Sequence, residues 1–327
     1  MKVALTGVTG HLGGALLREL HKRHFTIHAL VRDDPKDIFD AIPVKLVNGN
    51  LENRQALNEL MTSCDYLIHA AGHISIHGDP DGSVHRTNVE GVKTVMEVAK
   101  TCGIKRVIHI SSIHAYRQKP IFELLDEQRQ KAPTNSFAYD NSKREGEEIA
   151  LSFASDTMDV LVMNPTSFIG PFDFKPSRTG KFIIDLFRGK LPFLFKGGFD
   201  FCDVRDIACA VVNSLTMGKN GESFLLSGQW NSLSYIADLI SKVSGKKIKP
   251  LVLPTYIGWL GVPLIYFYGW LTKEEPIYTN EALIAISDGN RNISSSKAQR
   301  ELNFKARPIE ETIRDTYEWF LKNGYLG

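Results

Sequence analysis

Two side chains with complementary acid–base chemistry lie four residues apart in this 327-residue sequence: the phenol of Tyr139 and the ammonium of Lys143. On an α-helix this spacing places both side chains on one face. An unperturbed phenol, with a pKa of about 10, is a poor acid–base group at neutral pH. A nearby ammonium favours the phenolate, so we expect Lys143 to lower the pKa of Tyr139 and to prepare it for proton transfer. The same spacing is common in surface pairs of amphipathic helices, so the assignment depends on the rest of the chain.

A pair of hydroxyl side chains ends an apolar run earlier in the chain. The run Val107-Ile108-His109-Ile110 is followed directly by Ser111 and Ser112. A hydroxyl at such a strand end can hydrogen-bond a substrate carbonyl oxygen while negative charge builds on that oxygen. The alternative is that the two serines only cap the strand.

Three glycines near the start of the chain indicate a phosphate site. They allow a tight turn, close approach of the backbone to a pyrophosphate, and close packing of a helix on a sheet. The N-terminus of the following helix would offer free N–H groups to the phosphates. The GxxGxxG spacing departs from GxGxxG, and the alternative is an ordinary glycine-rich turn between strand and helix. The segment reads Thr6-Gly7-Val8-Thr9-Gly10-His11-Leu12-Gly13.

The end of the second predicted strand bears on the choice of cofactor. A carboxylate at this position usually binds the ribose 2′-hydroxyl of NAD, whereas a cation accommodates the 2′-phosphate of NADP. Arg32 comes first after the strand and Lys36 is near. We therefore expect NADP, while Asp33 and Asp34 leave NAD open.

Strand and helix patterns alternate through the first half of the chain. Continuous apolar strands separated by helices predict an α/β fold, a Rossmann-type doubly wound parallel sheet covered on both faces. Ligands of such a sheet bind beyond the carboxyl ends of its strands. The predicted strands are Lys2–Thr6, Thr26–Val31, Val44–Val47, Asp65–Ala70, Arg106–Ser111 and Val160–Asn164, and the predicted helices are Leu12–Lys22, Arg54–Met61, Ser83–Thr101 and Tyr139–Ala154.

The alternation ends after about Pro165, and the sequence predicts a different second half. Residues 170–200 read as loops, rich in Phe, Gly, Lys and Pro, around one helix. We therefore expect an NADP-binding Rossmann domain at 1–165, which part of 203–230 rejoins, and a smaller C-terminal substrate-binding lobe at 166–327. Predicted helices of this half are Gly180–Arg188, Asp206–Met217, Ser232–Ser244, Asn280–Ser287 and Ile309–Lys322, and its predicted strands are Ser223–Leu226 and Ile248–Leu253.

Composition excludes several classes of partner. The net charge of +2 is too small to predict strong electrostatic attraction to nucleic acid or to membranes. The four cysteines show no CxxC spacing and no clustering with histidine, which favours reduced thiols in a cytoplasmic protein without a metal site. The chain also begins without the pattern of a secretory signal.

The stretch Leu251–Leu271 contains no charged residue, which nominally reaches the length of a membrane span. Pro254 and Pro263, together with several glycines and aromatic residues, argue against a span. We expect a lid over an apolar substrate, and weak association with a membrane surface is the alternative.

Taken together, these motifs resemble the extended short-chain dehydrogenases/reductases of the NAD-dependent epimerase/dehydratase superfamily, in the branch of dihydroflavonol reductases and 3β-hydroxysteroid dehydrogenases. The resemblance covers nearly the whole chain. Further segments that carry it are Gly49-Asn50-Leu51, where Asn50 replaces the usual acid, His69-Ala70-Ala71-Gly72, Asn88-Val89-Glu90-Gly91, Pro165-Thr166-Ser167-Phe168-Ile169-Gly170-Pro171 and Asp203-Val204-Arg205-Asp206.

The resemblance assigns roles to individual residues. It implies that Ser112, four residues before Tyr116, is the catalytic hydroxyl beside Tyr139 and Lys143. It also implies a homodimer built from the helices near 84–101 and 139–154. The implied cofactor-binding residues are Gly7, Thr9, Gly10, His11, Leu12, Gly13, Arg32, Asn50, Leu51, Ala70, Ala71, Gly72, Lys143, Pro165, Thr166 and Phe168.

Departures from the family pattern narrow the range of substrates that we expect. Sugar-nucleotide dehydratases carry Asp-Glu after the catalytic hydroxyl, whereas Ile113-His114 follows Ser112, so the extra acid and base for loss of water are missing. Phe199 stands where sugar-nucleotide enzymes place an arginine on the diphosphate. An apolar or aromatic substrate fits this aromatic lobe better, while Lys175, Arg178 and Lys181 leave an anionic group open. We expect His73, His114 and Phe199 to contact it.

The sequence therefore predicts an NADP(H)-dependent oxidoreductase that reduces the carbonyl, or oxidises the alcohol, of a small apolar molecule. The first alternative is a nucleotide-sugar epimerase with tightly bound NAD. It is less consistent with Arg32, which favours NADP, and with Phe199, which replaces the arginine that binds the diphosphate. The second is a redox sensor that binds NADP without catalysis. Such proteins commonly lose the tyrosine or the lysine, and this chain keeps both.

Overall fold

The computed structural model describes residues 1–32, 38–39, 42–260 and 279–326. Lys36, Asp33 and Asp34, and residues 261–271 of the uncharged stretch, lie outside the described residues. The strands are β1 (Lys2–Thr6), β2 (Thr26–Val31), β3 (Val44–Asn48), β4 (Tyr66–His69), β5 (Arg106–Ile110), β6 (Asp159–Pro165), β7 (Ser167–Ile169), β8 (Phe193–Phe195), β9 (Gly198–Asp203), β10 (Ser223–Leu226), β11 (Gln229–Ser232) and β12 (Leu251–Leu253).

Helices cover both faces of the strand array and complete the smaller lobe. Residues 255–260 are also helical. The other helices are α1 (His11–Lys22), α2 (Arg54–Met61), α3 (Ser83–His85), α4 (Gly91–Thr101), α5 (Ala138–Ser152), α6 (Arg178–Phe187), α7 (Val204–Asn213), α8 (Leu233–Ser244), α9 (Asn280–Asp288), α10 (Ser296–Leu302) and α11 (Ile309–Lys322).

Seven parallel strands form the central sheet, in the order β10-β6-β5-β4-β1-β2-β3. Their apolar side chains are buried on both faces because α1 and α7 pack on one side and α2, α4 and α5 on the other. β1 pairs with β2 on one side and with β4 on the other. The order reverses there, so the carboxyl ends of β1 and β4 flank the crevice in which such sheets bind ligands. The predicted Rossmann-type doubly wound fold is confirmed.

The smaller lobe contains strands that the sequence analysis missed. Part of the predicted loop 170–200 forms β8 and β9, and β9 lies between β7 and β11 in a three-stranded sheet. The predicted strand Ile248–Leu253 is reduced to Leu251–Leu253, which pairs with β8. These strands are too short for an alternating pattern to develop, and β9 begins with a glycine, Gly198, directly after Gly197.

Buried charges join the two parts of the chain. Asp203 caps α7 by accepting a hydrogen bond from the backbone of Arg205 at 2.8 Å. Arg205 also pairs with Asp315 of α11 at 2.7 Å, and Arg307 pairs with Asp206 at 2.7 Å. This cluster fixes the last helix against the start of α7.

The predicted helix Ser83–Thr101 is interrupted by one π-helical turn, Arg86–Glu90, between α3 and α4. In a π-turn the backbone hydrogen bond joins residues five apart instead of four, and such turns often occur at functional sites. Asn88 lies inside this turn and is buried. Among the residues that the structure describes, none of the helices combines the length and hydropathy that crossing a bilayer requires.

We expect the Gly146→Ala substitution to destabilise the protein and to move α5. A Cβ atom at position 146 would lie 2.3 Å from the backbone oxygen of Asn88, so α5 must shift away from the π-turn. Overpacking of this kind costs about 1–3 kcal/mol. Thermal unfolding measures the loss, with Glu148→Ala on the exposed face of α5 as the control. Equal melting temperatures for the two variants would contradict the close contact.

Candidate active site

The glycine loop connects β1 to α1 with a geometry that only glycine permits. Gly7 has a φ of +76°, and a Cβ atom there would lie 2.5 Å from the backbone nitrogen of Ala71. A Cβ atom on Gly13 would lie 2.0 Å from the backbone oxygen of Gly7. Gly10 caps α1 without a side-chain hydrogen bond, so the first N–H groups of the helix face outward from an open backbone. This cradle fits the pyrophosphate of a dinucleotide.

Two side chains of the glycine loop, those of Leu12 and His11, make different contacts within the protein. Leu12 is buried in the core under the sheet, so only its backbone faces the loop. The imidazole of His11 hydrogen-bonds the backbone oxygen of Pro171 at 3.1 Å and lies 5.6 Å from the ring of Phe168. His11 therefore joins the glycine loop to the segment after β6, while Thr9 stays partly exposed at the turn.

The loop after β4 approaches both the glycine loop and α5. Ala71 donates its backbone N–H to the hydroxyl of Thr6 at 3.3 Å, and the loop continues through Ala70 and Gly72 past the end of β1. A Cβ atom on Gly72 would lie 3.2 Å from the amine of Lys143. Glycine at this position leaves room for that amine beside the predicted cofactor loop.

The amide of Asn88 fastens this loop to α5. Its Oδ1 atom accepts the backbone N–H of His73, and its Nδ2 atom donates to the backbone oxygen of His73, both at 2.8 Å. The Nδ2 atom also donates to the hydroxyl of Ser142 at 2.9 Å. Every polar atom of the amide is thereby used, and the loop, the π-turn and α5 are held in one arrangement.

Lys143 is buried beneath the strand ends. Its Nζ atom donates to the backbone oxygen of Ile110 at 3.1 Å, at the end of β5. Burial lowers the pKa of Lys143 to about 8, although the charge of Glu147 one turn further along α5 acts in the opposite direction. At neutral pH the amine is therefore still mostly in its ammonium form.

The two serines after β5 face different partners. The hydroxyl of Ser111 donates to the backbone oxygen of Lys143 at 3.4 Å. Ser112 caps a short 3₁₀ turn, Ile113–Ala115, by accepting the backbone N–H of His114 at 3.2 Å, and its hydroxyl lies close enough to the phenol of Tyr139 to lower its pKa. The geometry therefore brings Ser112, Tyr139 and Lys143 together and leaves Ser111 as a structural contact.

The structure corrects the expected effect of Lys143 on the phenol. The pKa of Tyr139 is raised to about 12, chiefly by burial, with a further increase from the charge of Asp140. The hydroxyl of Ser112 acts in the opposite direction but does not outweigh burial. Lys143 is hydrogen-bonded to Ile110 instead. The expectation that the ammonium would lower the pKa of Tyr139 is therefore wrong for this arrangement, and the phenol is protonated at neutral pH.

His114 and Asp140 form an ion pair beside the phenol. The Nδ1 atom of His114 lies 3.0 Å from the Oδ1 atom of Asp140, and the imidazole meets the Tyr139 ring edge to face at 5.6 Å. Burial acts to lower the pKa of His114, but the charge and hydrogen bond of Asp140 outweigh it and raise the pKa. A cation beside the phenol would favour its ionised form in turn.

The residues predicted for the adenosine side lie at the ends of β2 and β3. Arg32 follows β2 directly and is exposed. The side chain of Asn50 accepts backbone N–H groups of Glu52 and Asn53, both at 3.0 Å, so it stabilises its own turn. Leu51 packs against Gly91 at the start of α4.

The segment after β6 lies on the other side of the predicted cofactor site, against His11 of the glycine loop. Pro165 is buried at the end of β6, and Phe168 packs beside His11. The hydroxyl of Thr166 donates to the carboxyl of Asp200 in β9 at 2.6 Å, so this side chain serves the junction between the two lobes. Burial raises the pKa of Asp200 to about 6, against the hydrogen bonds from Thr166 and Gly228.

A cavity of about 600 Å³ opens beside Tyr139, toward the smaller lobe. Its lining contains two of the predicted substrate contacts, His114 and Phe199. The side chain of His73 is instead exposed, and its backbone is held by Asn88. The other cavity residues that bear on substrate chemistry are Phe182, Phe201, Ala282, Ala285, Arg178, Lys181 and Glu281.

Sequence reasoning missed Asp140 and Glu281 as residues of this site. Asp140 follows Tyr139 directly, but its pairing with His114 spans 26 residues and gives no local signal. Glu281 comes from α9, far along the chain, where burial raises the pKa of its carboxyl against a backbone hydrogen bond from Gly78. Within the described part of the chain, no group of three or more His, Cys, Asp or Glu side chains is placed to hold a metal ion.

Comparison with known proteins agrees with this geometry. The model of the NAD dependent epimerase/dehydratase family matches residues 3–227. The chain therefore belongs to that family, and it is an NAD(P)-dependent enzyme of the extended short-chain dehydrogenase/reductase kind.

Individual relatives extend over the full chain. A Synechocystis sp. protein with a provisional name, dihydroflavonol 4-reductase, is 30% identical over 333 residues, 98% of this chain and 95% of the relative. Sterol demethylase protein B of Methylococcus capsulatus is 26% identical over 331 residues, 100% of both chains. The crystal structure of gox2253 superposes with a TM-score of 0.84 at 25% identity and covers 100% of this chain and 99% of that one.

We expect the Asp140→Asn substitution to lower the pKa of His114 below its ordinary value of 6.5, because burial then acts without the opposing carboxylate. NMR titration of the His114 ring measures this shift, with the exposed Asp156→Asn as the control. In the parent protein the raised pKa makes the His114–Asp140 pair stabilising at low pH, and that stabilisation is lost as the pH rises through the folded-state pKa. Identical His114 titrations in parent and Asp140→Asn would refute the coupling.

Proposed function

We propose that the protein is an NADP(H)-dependent oxidoreductase that reduces the carbonyl, or oxidises the corresponding alcohol, of an apolar or aromatic small molecule. The observation that carries the proposal is the meeting of Ser112, Tyr139 and Lys143 between the glycine loop and the mouth of a largely aromatic and aliphatic cavity. Membership of an NAD-dependent family supports the use of a nicotinamide cofactor.

The residues of the site suit proton donation to a carbonyl oxygen. NADPH, when bound along the glycine loop, would supply the hydride. Ser112 and Tyr139 hydrogen-bond the carbonyl oxygen, and the phenol gives up its proton as that oxygen gains charge. The protonated state of Tyr139 at neutral pH is the state that this step needs. The Lys143 ammonium, which lies beside Gly72 in the predicted cofactor loop, would hold the ribose of the cofactor.

The cavity supports an apolar substrate. Phe182, Phe199 and Phe201 face the same space as Tyr139, and burial of apolar surface there favours a hydrocarbon or aromatic body. One full-length relative carries the name of a sterol-modifying protein, which agrees with such a substrate. Arg178 and Lys181 on the far side would accept a polar or anionic end.

NADP is the proposed cofactor because of Arg32. The guanidinium follows β2 at the position that meets the ribose 2′ substituent in this fold, and it is exposed to a ligand. A fork of N–H donors suits a 2′-phosphate better than a 2′-hydroxyl.

The main alternative is a nucleotide-sugar epimerase with tightly bound NAD, which the family also contains. The cations Arg178 and Lys181 in the cavity favour it, whereas Phe199 in the same lining opposes a diphosphate. A non-catalytic NADP sensor is less consistent with Tyr139 and Lys143 both turned into the site. The homodimer and the cytoplasmic location stay predictions.

We expect Tyr139→Phe to reduce turnover of a carbonyl substrate by about 10²–10⁴-fold, because the general acid is lost while the ring remains. The measurement is NADPH consumption over a panel of aromatic and aliphatic ketones and aldehydes, with NADPH affinity determined separately by fluorescence. Tyr235→Phe, which removes a hydroxyl bonded to Glu310 on the surface, is the matched control. Near-normal turnover in Tyr139→Phe would exclude the proposed role.

We expect Arg32→Ala to lower the preference for NADPH over NADH by about tenfold or more, because the charged donor to the 2′-phosphate is gone. The quantity to compare is the ratio of kcat/KM for the two cofactors. Arg54→Ala, an exposed arginine of α2 paired with Glu97, provides the control. A ratio unchanged from the parent would show that Arg32 does not select the cofactor.

A further inference from the structure

Residues 251–260 present an unusual amount of apolar surface. Leu251 is 65% exposed, Trp259 47% and Leu260 78%, and Val252 and Tyr256 are also exposed. Exposed apolar residues that stand singly are ordinary, but a contiguous group marks an interaction surface. We call this group, Leu251, Val252, Tyr256, Trp259 and Leu260, the apolar face.

The apolar face is fixed to the body of the protein. β12 pairs with β8, and the backbone N–H of Lys196 donates to the oxygen of Leu253 at 2.8 Å. A Cβ atom on Gly258 would lie 2.8 Å from the ring of Phe195 and 3.0 Å from Leu283. The inner side of the 255–260 helix therefore packs closely, which turns Trp259 and Leu260 outward.

Exposed lysines lie on the chain segments that carry and adjoin the apolar face. Two stretches of chain meet in the β8–β12 pair, residues 189–199 and 245–260, and neither contains an aspartate or a glutamate. The lysines of these stretches are all exposed. They are Lys190, Lys196, Lys246, Lys247 and Lys249.

We propose that the apolar face and its lysines dock the protein on the surface of an anionic lipid bilayer, without crossing it. Tryptophan and tyrosine favour the boundary between headgroups and acyl chains, and lysines nearby are attracted to anionic headgroups. Protein–protein interfaces are depleted in lysine, so five exposed lysines on these two segments, which contain no acidic residue, favour lipid over a second chain. This proposal does not depend on the proposed reaction.

Docking there would place the substrate cavity next to the bilayer. Leu283, which packs under the 255–260 helix, belongs to α9, and α9 also supplies Ala282 and Ala285 to the cavity. One helix therefore separates the proposed lipid contact from the proposed substrate site.

Flotation of the full-length protein with vesicles tests the proposal. We expect the protein to float with vesicles of phosphatidylcholine and phosphatidylglycerol, and to float much less with phosphatidylcholine alone or at high salt. The double variant Trp259→Ser/Leu260→Ser should bind at least about tenfold more weakly. The variant Lys246→Ser/Lys249→Ser should lose most of the dependence on phosphatidylglycerol.

The control is Phe122→Ser/Leu124→Ser, two equally exposed apolar residues of another loop, which should float as the parent does. Circular dichroism and thermal unfolding show whether each variant is folded. If the parent fails to float, or if the Trp259/Leu260 variant floats normally, the proposal is wrong. It is also overturned if the parent forms dimers that this variant abolishes while neither binds vesicles, since the face would then cover a second copy.

Discussion

The amide of Asn88 is the constraint on which the rest of the site depends. It binds the loop after β4 through both backbone atoms of His73 and binds α5 through Ser142. The loop carries the predicted cofactor contacts, and α5 carries Tyr139 and Lys143. The side chain of Asn88 therefore fixes the predicted cofactor site relative to the predicted catalytic residues. The π-turn matters for the same reason, since it positions Asn88 between them. An unpaired amide at this depth would cost more than the bonds it makes contribute, which favours a single arrangement.

Local patterns predicted what depends on local geometry. The placement of Tyr139 and Lys143 one turn apart on α5, the glycine turn and the parallel sheet all follow from spacing within one element or between neighbours. The pairing of His114 with Asp140 could not be predicted, because it joins a 3₁₀ turn to a helix. The short strands β8 and β9 were missed since three to six residues between glycines and prolines leave no period to read.

Burial also explains why the electrostatic prediction failed. From sequence, Lys143 is only a nearby positive charge, which would make the phenol more acidic. In the structure Lys143 is buried and Tyr139 is half-buried at the cavity, and loss of hydration disfavours each charged form. The pKa of Tyr139 therefore rises to about 12 while that of Lys143 falls to about 8. Sequence spacing shows which groups meet, but the sign of the pKa shift depends on how deeply they are buried.

The same burial bears on the direction of the proposed reaction. Reduction of a carbonyl begins with a protonated phenol, which burial favours, whereas oxidation of an alcohol needs the phenolate, which burial opposes. A cation beside the phenol would offset that cost, and protonated His114, whose ring lies 5.6 Å from that of Tyr139, is placed to do so. The pKa of His114 is raised by Asp140, so the cation persists to higher pH than an ordinary histidine would allow. The carboxylate of Asp140 opposes this effect, because its own charge raises the pKa of Tyr139, so the balance between His114 and Asp140 decides how strongly oxidation is disfavoured.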